Sequence, residues 1–313
     1  MNTASATALS KLRDNVGLAY RGDGRAVDLL LTALLSRGHV LIEDVPGVGK
    51  TTLARALGRS LALDFRRIQF TSDTLPADVL GITVFHAPND RFEFHPGPIF
   101  ANIVLADEIN RATPKTQSAL LEAMNETAVT VESERRPLPQ PFMVVATQNP
   151  VEYLGTYPLP ESQMDRFFLR LSLGYPSEDE EKMLLRRGGT ERVLASIPAV
   201  LSPTEVLALQ DETEKVAVAD RLLDYVQGIV RATRQTAELR LPVSTRGAQA
   251  FYRAAQAHAL LGGRAYATPD DVQAVAEPVL AHRILSISSD GFGAGGREKE
   301  IVRKILSQVP VPV

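Results

Sequence analysis

The segment Asp44-Val45-Pro46-Gly47-Val48-Gly49-Lys50-Thr51, with Thr52 after it, puts two glycines, a lysine and a hydroxyl within eight residues. Glycine lets a loop turn tightly and aim its backbone N–H groups inward, which is how a loop cradles phosphate. Lys50 would reach the β- and γ-phosphates of a nucleotide, and the Thr51 hydroxyl would hold Mg²⁺. The helix after the loop would point its N-terminus at the same anion. Asp44 stands where the usual pattern has its first glycine. Aspartate tolerates a left-handed turn better than most residues, so Asp44 is expected to take the glycine's conformation.

Four further segments complete a possible site. Ile103-Val104-Leu105-Ala106 ends in Asp107-Glu108, 57 residues after Lys50. Carboxylates there lie at the C-terminal edge of a sheet, where ligands of α/β proteins bind. Asp107 would organise Mg²⁺ and Glu108 would polarise an attacking water. Thr147-Gln148-Asn149-Pro150 ends the next strand, and Asn149 could hydrogen-bond both that water and the γ-phosphate. Met164-Asp165-Arg166-Phe167 places an arginine badly for its own site but well for a neighbouring copy's γ-phosphate. The plainer reading of Arg166 is an ion pair with Glu161 or Asp165. In Val243-Ser244-Thr245-Arg246-Gly247 a Ser or Thr caps a helix, and Arg246 sits in its first turn. A cation there opposes the helix dipole, so it calls for an anionic partner such as phosphate. A solvated arginine is the plainer reading.

The elements that must position these residues follow from periodicity. Residues 8–38 read as two helices broken at Arg21–Gly24, and 39–42 as a strand. A helix over 50–63, strands at 67–70, 103–106, 142–146 and 167–173, and a helix over 113–125 predict an αβα core with a largely parallel sheet. Hairpin inserts are expected near 84–96 and 129–141. After about Tyr175 the strands stop, and 178–187, 203–213, 219–238, 244–262, 269–283 and 297–308 read as helices, with Gly291–Gly296 as a loop. The division expected is 1–176 for the core and 177–313 for an all-α second domain.

Composition narrows the partners. Residues 1–170 carry 17 Lys and Arg against 19 Asp and Glu, and 171–313 carry 17 against 18. Neither half is basic, which argues against a dedicated duplex-DNA binder. The absence of cysteine removes disulfides and thiolate metal sites. No apolar run reaches the length of a membrane span, and Met1–Ser10 has no signal-peptide pattern, so a cytoplasmic protein is expected. The five histidines form no metal-ligand spacing with a carboxylate, leaving Mg²⁺ as the only metal expected.

With these residues in place the sequence resembles the MoxR family of AAA+ ATPases. The resemblance rests on residues 43–51, Gly97–Asn102, Ala106–Ala112, Ala146–Pro150, and Gly155–Glu161 running into Asp165-Arg166-Phe167, and more loosely on Ser244–Gly247. It implies an α/β P-loop AAA+ core, a helical lid, and ATP bound between subunits of a hexameric ring. It makes Arg166 an arginine finger, Asn149 sensor 1 and Arg246 sensor 2, the last acting on its own or on a neighbour's site. It implies a chaperone-like role with a separate von Willebrand factor A-domain partner, often in metal insertion or complex maturation, on a client the sequence does not name. Arg111 is characteristic of the family, without an assigned role.

Two other classes share this core. A nucleic-acid motor or activator would need a basic pore loop or an added helix-turn-helix, yet between Phe85 and Pro96 the charges are Asp90, Arg91 and Glu93. A non-hydrolysing nucleotide scaffold would be free to lose a catalytic residue, and none is missing. Phe92 and Phe94 suggest hairpin packing rather than a stacking platform for bases.

Overall fold

Val40–Glu43, Ile103–Asp107 and Met143–Gln148 are apolar almost throughout, and each forms a strand covered on both faces, as a parallel sheet between helices demands. The computed structural model describes residues 3–87, 90–149, 155–187, 190–288 and 296–312. Helices α1 (Thr3–Ala19) and α2 (Gly24–Leu35) lead into β1 (Val40–Glu43) and α3 (Lys50–Ser60). Then come β2 (Phe65–Gln69), a short α4 (Pro76–Leu80) and the hairpin β3 (Gly81–His86) and β4 (Arg91–Pro96). Next are β5 (Ile103–Asp107), α5 (Pro114–Glu126), the hairpin β6 (Ala128–Val131) and β7 (Glu134–Pro137), β8 (Met143–Gln148), α6 (Glu161–Met164) and β9 (Leu169–Leu171). The remainder is α7 (Glu178–Arg187), α8 (Thr190–Ser196), α9 (Pro203–Glu214), α10 (Asp220–Gln235), β10 (Leu239–Leu241), α11 (Thr245–Leu261), α12 (Pro269–Leu280), β11 (Leu285–Ser286) and α13 (Gly296–Gln308).

The main sheet has the order β2-β5-β8-β1-β9 and is parallel at every pairing. Alternation along β1 divides the core: Val40 and Ile42 join the apolar layer against α1, α2 and α3, while Leu41 joins the layer against α5. The first layer continues without a break into the helices after residue 190, where α2 packs on α9 and α11. Glu43 pairs with Gln148, and Gln69 with Asp107. That register brings the ends of β1, β2, β5 and β8 to one edge of the sheet.

Several expectations need adjusting. The helical region contains a small antiparallel pair, β10 with β11, and an extra helix, α8. The second hairpin ends at Pro137, not Pro141, because Pro139 and Pro141 have no N–H to continue the ladder. Phe92 packs against Phe85 across the first hairpin, with ring centroids 5.2 Å apart, yet remains 73% exposed. Phe94 faces Phe100 on one side and carries the Arg136 guanidinium 3.9 Å from its centroid. The Gly291–Gly295 part of the expected loop lies outside the described residues. Among the described residues no helix is long and apolar enough to cross a membrane.

Candidate active site

Gly47 (φ 89°) and Gly49 (φ 97°) both take conformations that side chains resist, and Gly49 starts α3 without any side-chain cap. The N-terminus of α3, which carries Lys50, Thr51 and Thr52, therefore has no side-chain cap from Gly49 and suits an anionic acceptor. Lys50 Nζ lies across the loop, donating to the Asp44 carbonyl at 2.7 Å and the Gln148 carbonyl at 3.4 Å. The Tyr20 ring closes the other side, near Gly49. Burial first, then the carboxylates of Asp23, Glu180 and Asp44, push the Tyr20 hydroxyl up to about 12.

Asp44 departs from expectation. It is not among the residues of positive φ, so it does not imitate glycine. Its carboxylate is an acceptor instead. Oδ1 takes the Val45 N–H at 2.8 Å, while Oδ2 takes the Ser172 hydroxyl at 2.8 Å and the N–H groups of Leu173 at 2.7 Å and Gly174 at 2.8 Å. Burial alone would raise its pKa, but these hydrogen bonds outweigh burial and hold it below the usual carboxylate value. Asp44 thus ties the glycine loop to the segment leaving β9.

The acidic pair sits at the same edge and is fully engaged. Buried Asp107 accepts from Thr147 Oγ1 at 2.5 Å and from Arg67 at 2.7 and 3.1 Å. Glu108 has left-handed dihedrals (φ 58°, ψ 49°), a strained state of roughly 1–3 kcal/mol for such a residue and typical of functional positions. Thr147 Oγ1 accepts its N–H at 2.9 Å, Gln69 Nε2 donates to its Oε2 at 2.8 Å, and Arg111 pairs with that oxygen at 3.2 Å. Asn149 is buried at the end of β8. Sequence reading missed Arg67 and Gln69 and gave Arg111 no role. The available signal was polar residues at alternate positions of β2, beside the strand that ends in the acids.

Arg166 and Arg246 lie elsewhere. Phe168 N–H donates to the His39 carbonyl at 2.7 Å, at the start of β1. From His39 to Asp44 the strand advances about 16 Å at roughly 3.3 Å per residue. Arg166 is therefore at the sheet edge opposite the glycine loop. The ion pairs anticipated for it do not form: Glu161 faces Arg240, Asp165 pairs with Arg283 at 2.9 Å, and Arg166 Nη1 donates to the Leu121 carbonyl at 3.1 Å. Ser244 caps α11 as expected, accepting from Gly247 N–H at 3.0 Å, and its hydroxyl reaches Asp165 Oδ2 at 3.2 Å. Arg246, exposed in the first turn of α11, follows two residues after this contact.

Comparisons with known proteins identify the family and the fold. Residues 39–169 match the ATPase family associated with various cellular activities (AAA), and residues 231–305 match the AAA lid domain. The chain is 39% identical to Chaperone MoxR1 of Mycobacterium tuberculosis, over 93% of this chain and 79% of that protein. It belongs to the MoxR family of AAA+ ATPases. It is also 48% identical to the uncharacterized protein YeaC of Bacillus subtilis, over 97% of this chain and 95% of that one. A crystal structure of an inferred ATPase from Cytophaga hutchinsonii superposes with a TM-score of 0.89 at 35% identity, covering 99% of this chain and 96% of the other. The MoxR-type core and lid place this chain among chaperone-like AAA+ ATPases, a family built to bind nucleotide.

Proposed function

We propose that this MoxR-family chain hydrolyses ATP in a cytoplasmic hexameric ring and remodels protein, with residues 1–176 as core and 177–313 as lid. The observation that carries the reading is the separation of the site into two sheet edges. Arg166 stands before β9 at the edge opposite the phosphate loop, and Arg246 lies two residues from Ser244, which reaches Asp165; this supports a reading in which both serve a neighbour. A ring supplies that neighbour to every subunit.

The loop amides and Lys50 would hold the phosphates. Thr51 and Asp107 offer hard oxygen donors at one sheet edge, which suits Mg²⁺ held by few protein groups and by phosphate. Bound there, Mg²⁺ would neutralise charge on the phosphates. Glu108 would polarise the attacking water, and Asn149 would orient it. Gln69 and Arg111 hold the Glu108 carboxylate until it is needed. A neighbour's Arg166 would stabilise charge developing on the γ-phosphate.

Family membership supports a separate von Willebrand factor A-domain partner and a role in maturation or metal insertion of protein complexes. The hairpin β3–β4, with Ile82, Val84, Phe85 and Phe92 exposed, offers an apolar surface for a protein contact.

The test is ATP turnover per subunit against protein concentration, with size analysis in ATP and in ADP. The rate is expected to climb as an oligomer forms and to collapse in Arg166→Ala. A concentration-independent rate indifferent to Arg166 would overturn the shared site.

A further inference from the structure

Arg283 follows α12 in the helical lid, and its guanidinium is buried in the core beneath Arg166. Nε donates to Asp165 Oδ1 at 2.9 Å. Nη2 donates to the Phe167 carbonyl at 2.6 Å and the Asp165 carbonyl at 3.4 Å, and Nη1 to the Phe168 carbonyl at 3.0 Å and to Val279. A buried cation must have its donors matched, and here they are matched by the backbone on both sides of Arg166. Burial lowers the Arg283 pKa to about 10, so it stays charged at neutral pH with Asp165 as its counter-ion.

Asp165 uses its other oxygen for Ser244, whose hydroxyl also accepts the Gly247 N–H. One hydroxyl therefore joins the finger segment to the N-terminus of α11, the helix that carries Arg246. The first turn of α11 also rests on Arg283 directly: a Cβ on Gly247 would stand 2.9 Å from Arg283 Cδ. Arg166 itself is loosely held. Its Nε is buried and finds no hydrogen-bond partner among the described residues, although Nη1 finds the Leu121 carbonyl. An unpaired buried donor favours a rearrangement that gives it an acceptor. The segment is fixed and the side chain is poised.

We propose that Asp165 is a positioning residue that locks Arg166 and the Arg246 helix into one unit, through Ser244 on one oxygen and Arg283 on the other. Displacement of the lid is thereby passed to the finger offered to the neighbouring subunit. The inference rests on Arg166 serving a neighbour's phosphate.

Ser244→Asp tests it. Aspartate caps a helix as well as serine does, but it cannot donate to Asp165 and sets a like charge beside it. Ser244→Thr keeps both the cap and the donor. If Ser244→Asp does not fold, Ser244→Gly replaces it, since glycine costs a cap little. The variants are compared by ATP turnover in the assembled protein. The aspartate (or glycine) variant is expected to lose about 10- to 100-fold in kcat with KM little changed, and the threonine variant to stay near wild type. Ser244→Asp combined with Arg166→Ala should be no slower than Arg166→Ala alone, because both act through one side chain. Wild-type turnover in Ser244→Asp, or losses that multiply in the double variant, would overturn the proposal while leaving the shared site standing. Wild-type turnover in Arg166→Ala would overturn both.

Discussion

The two edges of the central sheet are built by different means for the complementary tasks proposed for them. In the proposed mechanism the C-terminal edge would handle phosphate with backbone, glycine and residues that follow one another in the chain: Asp44 to Thr52, then Asp107-Glu108, then Asn149. The N-terminal edge fixes the segments that carry two arginines with contacts between remote parts of the chain: Asp165 with Arg283 118 residues on, Asp165 with Ser244 79 residues on, and Arg166 with Leu121. The difference suits their tasks. A cradle must match a small ligand closely, and a contiguous loop does that. A finger must move with the body of its subunit, and long-range ties between core and lid do that.

The sharpest way to break this comparison is to disable one edge in each of two variants. Arg166→Ala should lower turnover about 10³- to 10⁵-fold, as loss of an arginine finger does. Glu108→Gln should lower it about 10²- to 10⁴-fold while retaining bound ATP, as loss of a general base does. Mixed together, the two inactive proteins should regain activity, because a subunit with intact Glu108 then meets a neighbour with intact Arg166. Steady-state ATPase assays of the separate and mixed proteins check this. No recovery, in mixtures shown to exchange subunits, would mean that the edges do not meet across an interface.

The two edges were unequally legible. The glycine loop and acidic pair were plain in the sequence because a strand, a turn and a helix start are local, and parallel register brings the strand ends together. Arg166 and Arg246 were visible as cations out of place, one after an acid and one in a helix's first turn. Arg283 and Ser244 as partners of Asp165 were not, since nothing in local spacing says which distant carboxylate a buried arginine will find. Gln69 and Arg67 were missed for a related reason: their task exists only once β2 lies beside β5. The left-handed conformation expected of Asp44 does not occur. Its backbone is ordinary, and its carboxylate serves a segment 128 residues away.

Acid should separate the edges next. His39 lies at the N-terminal edge, fully engaged: its Nδ1 accepts from Val144 N–H at 3.0 Å and its Nε2 donates to the Met124 carbonyl at 2.9 Å. Burial brings its pKa down to about 4 despite the Met124 contact, and burial also lowers that of His282, which meets the Phe167 carbonyl. The folded state thus binds fewer protons than the unfolded chain between about pH 4 and 6.5. Stability is full above about pH 6.5 and falls as the pH drops through that window, by on the order of 3 kcal/mol for His39 at pH 4. Urea unfolding from pH 7.5 to 4.5 should show the decline, and His39→Asn should flatten it. An unchanged slope in that variant would mean that other groups govern the acid response.

The smallest effect expected is at the opposite edge, and it bears on why the loop carries Asp44 at all. Asp44→Gly would restore the common glycine pattern, yet it removes the acceptor of four donors. Asp44→Asn keeps one oxygen and turns an amide donor toward the rest. With charge-assisted hydrogen bonds worth about 1.5–3 kcal/mol, each variant should lose roughly 1–3 kcal/mol at pH 7, glycine the more. The native pKa of Asp44 is depressed, so its stabilisation is present above about pH 4 and fades only as the pH falls through the lower folded value. The deficit of both variants should therefore hold constant across the window in which His39 titrates, and shrink only below it. Urea unfolding of the three proteins at pH 7 and pH 5 reads this directly. If Asp44→Gly equals the wild type in stability, the carboxylate is a passenger in the loop, and the tie between the phosphate cradle and the end of β9 is carried by the backbone alone.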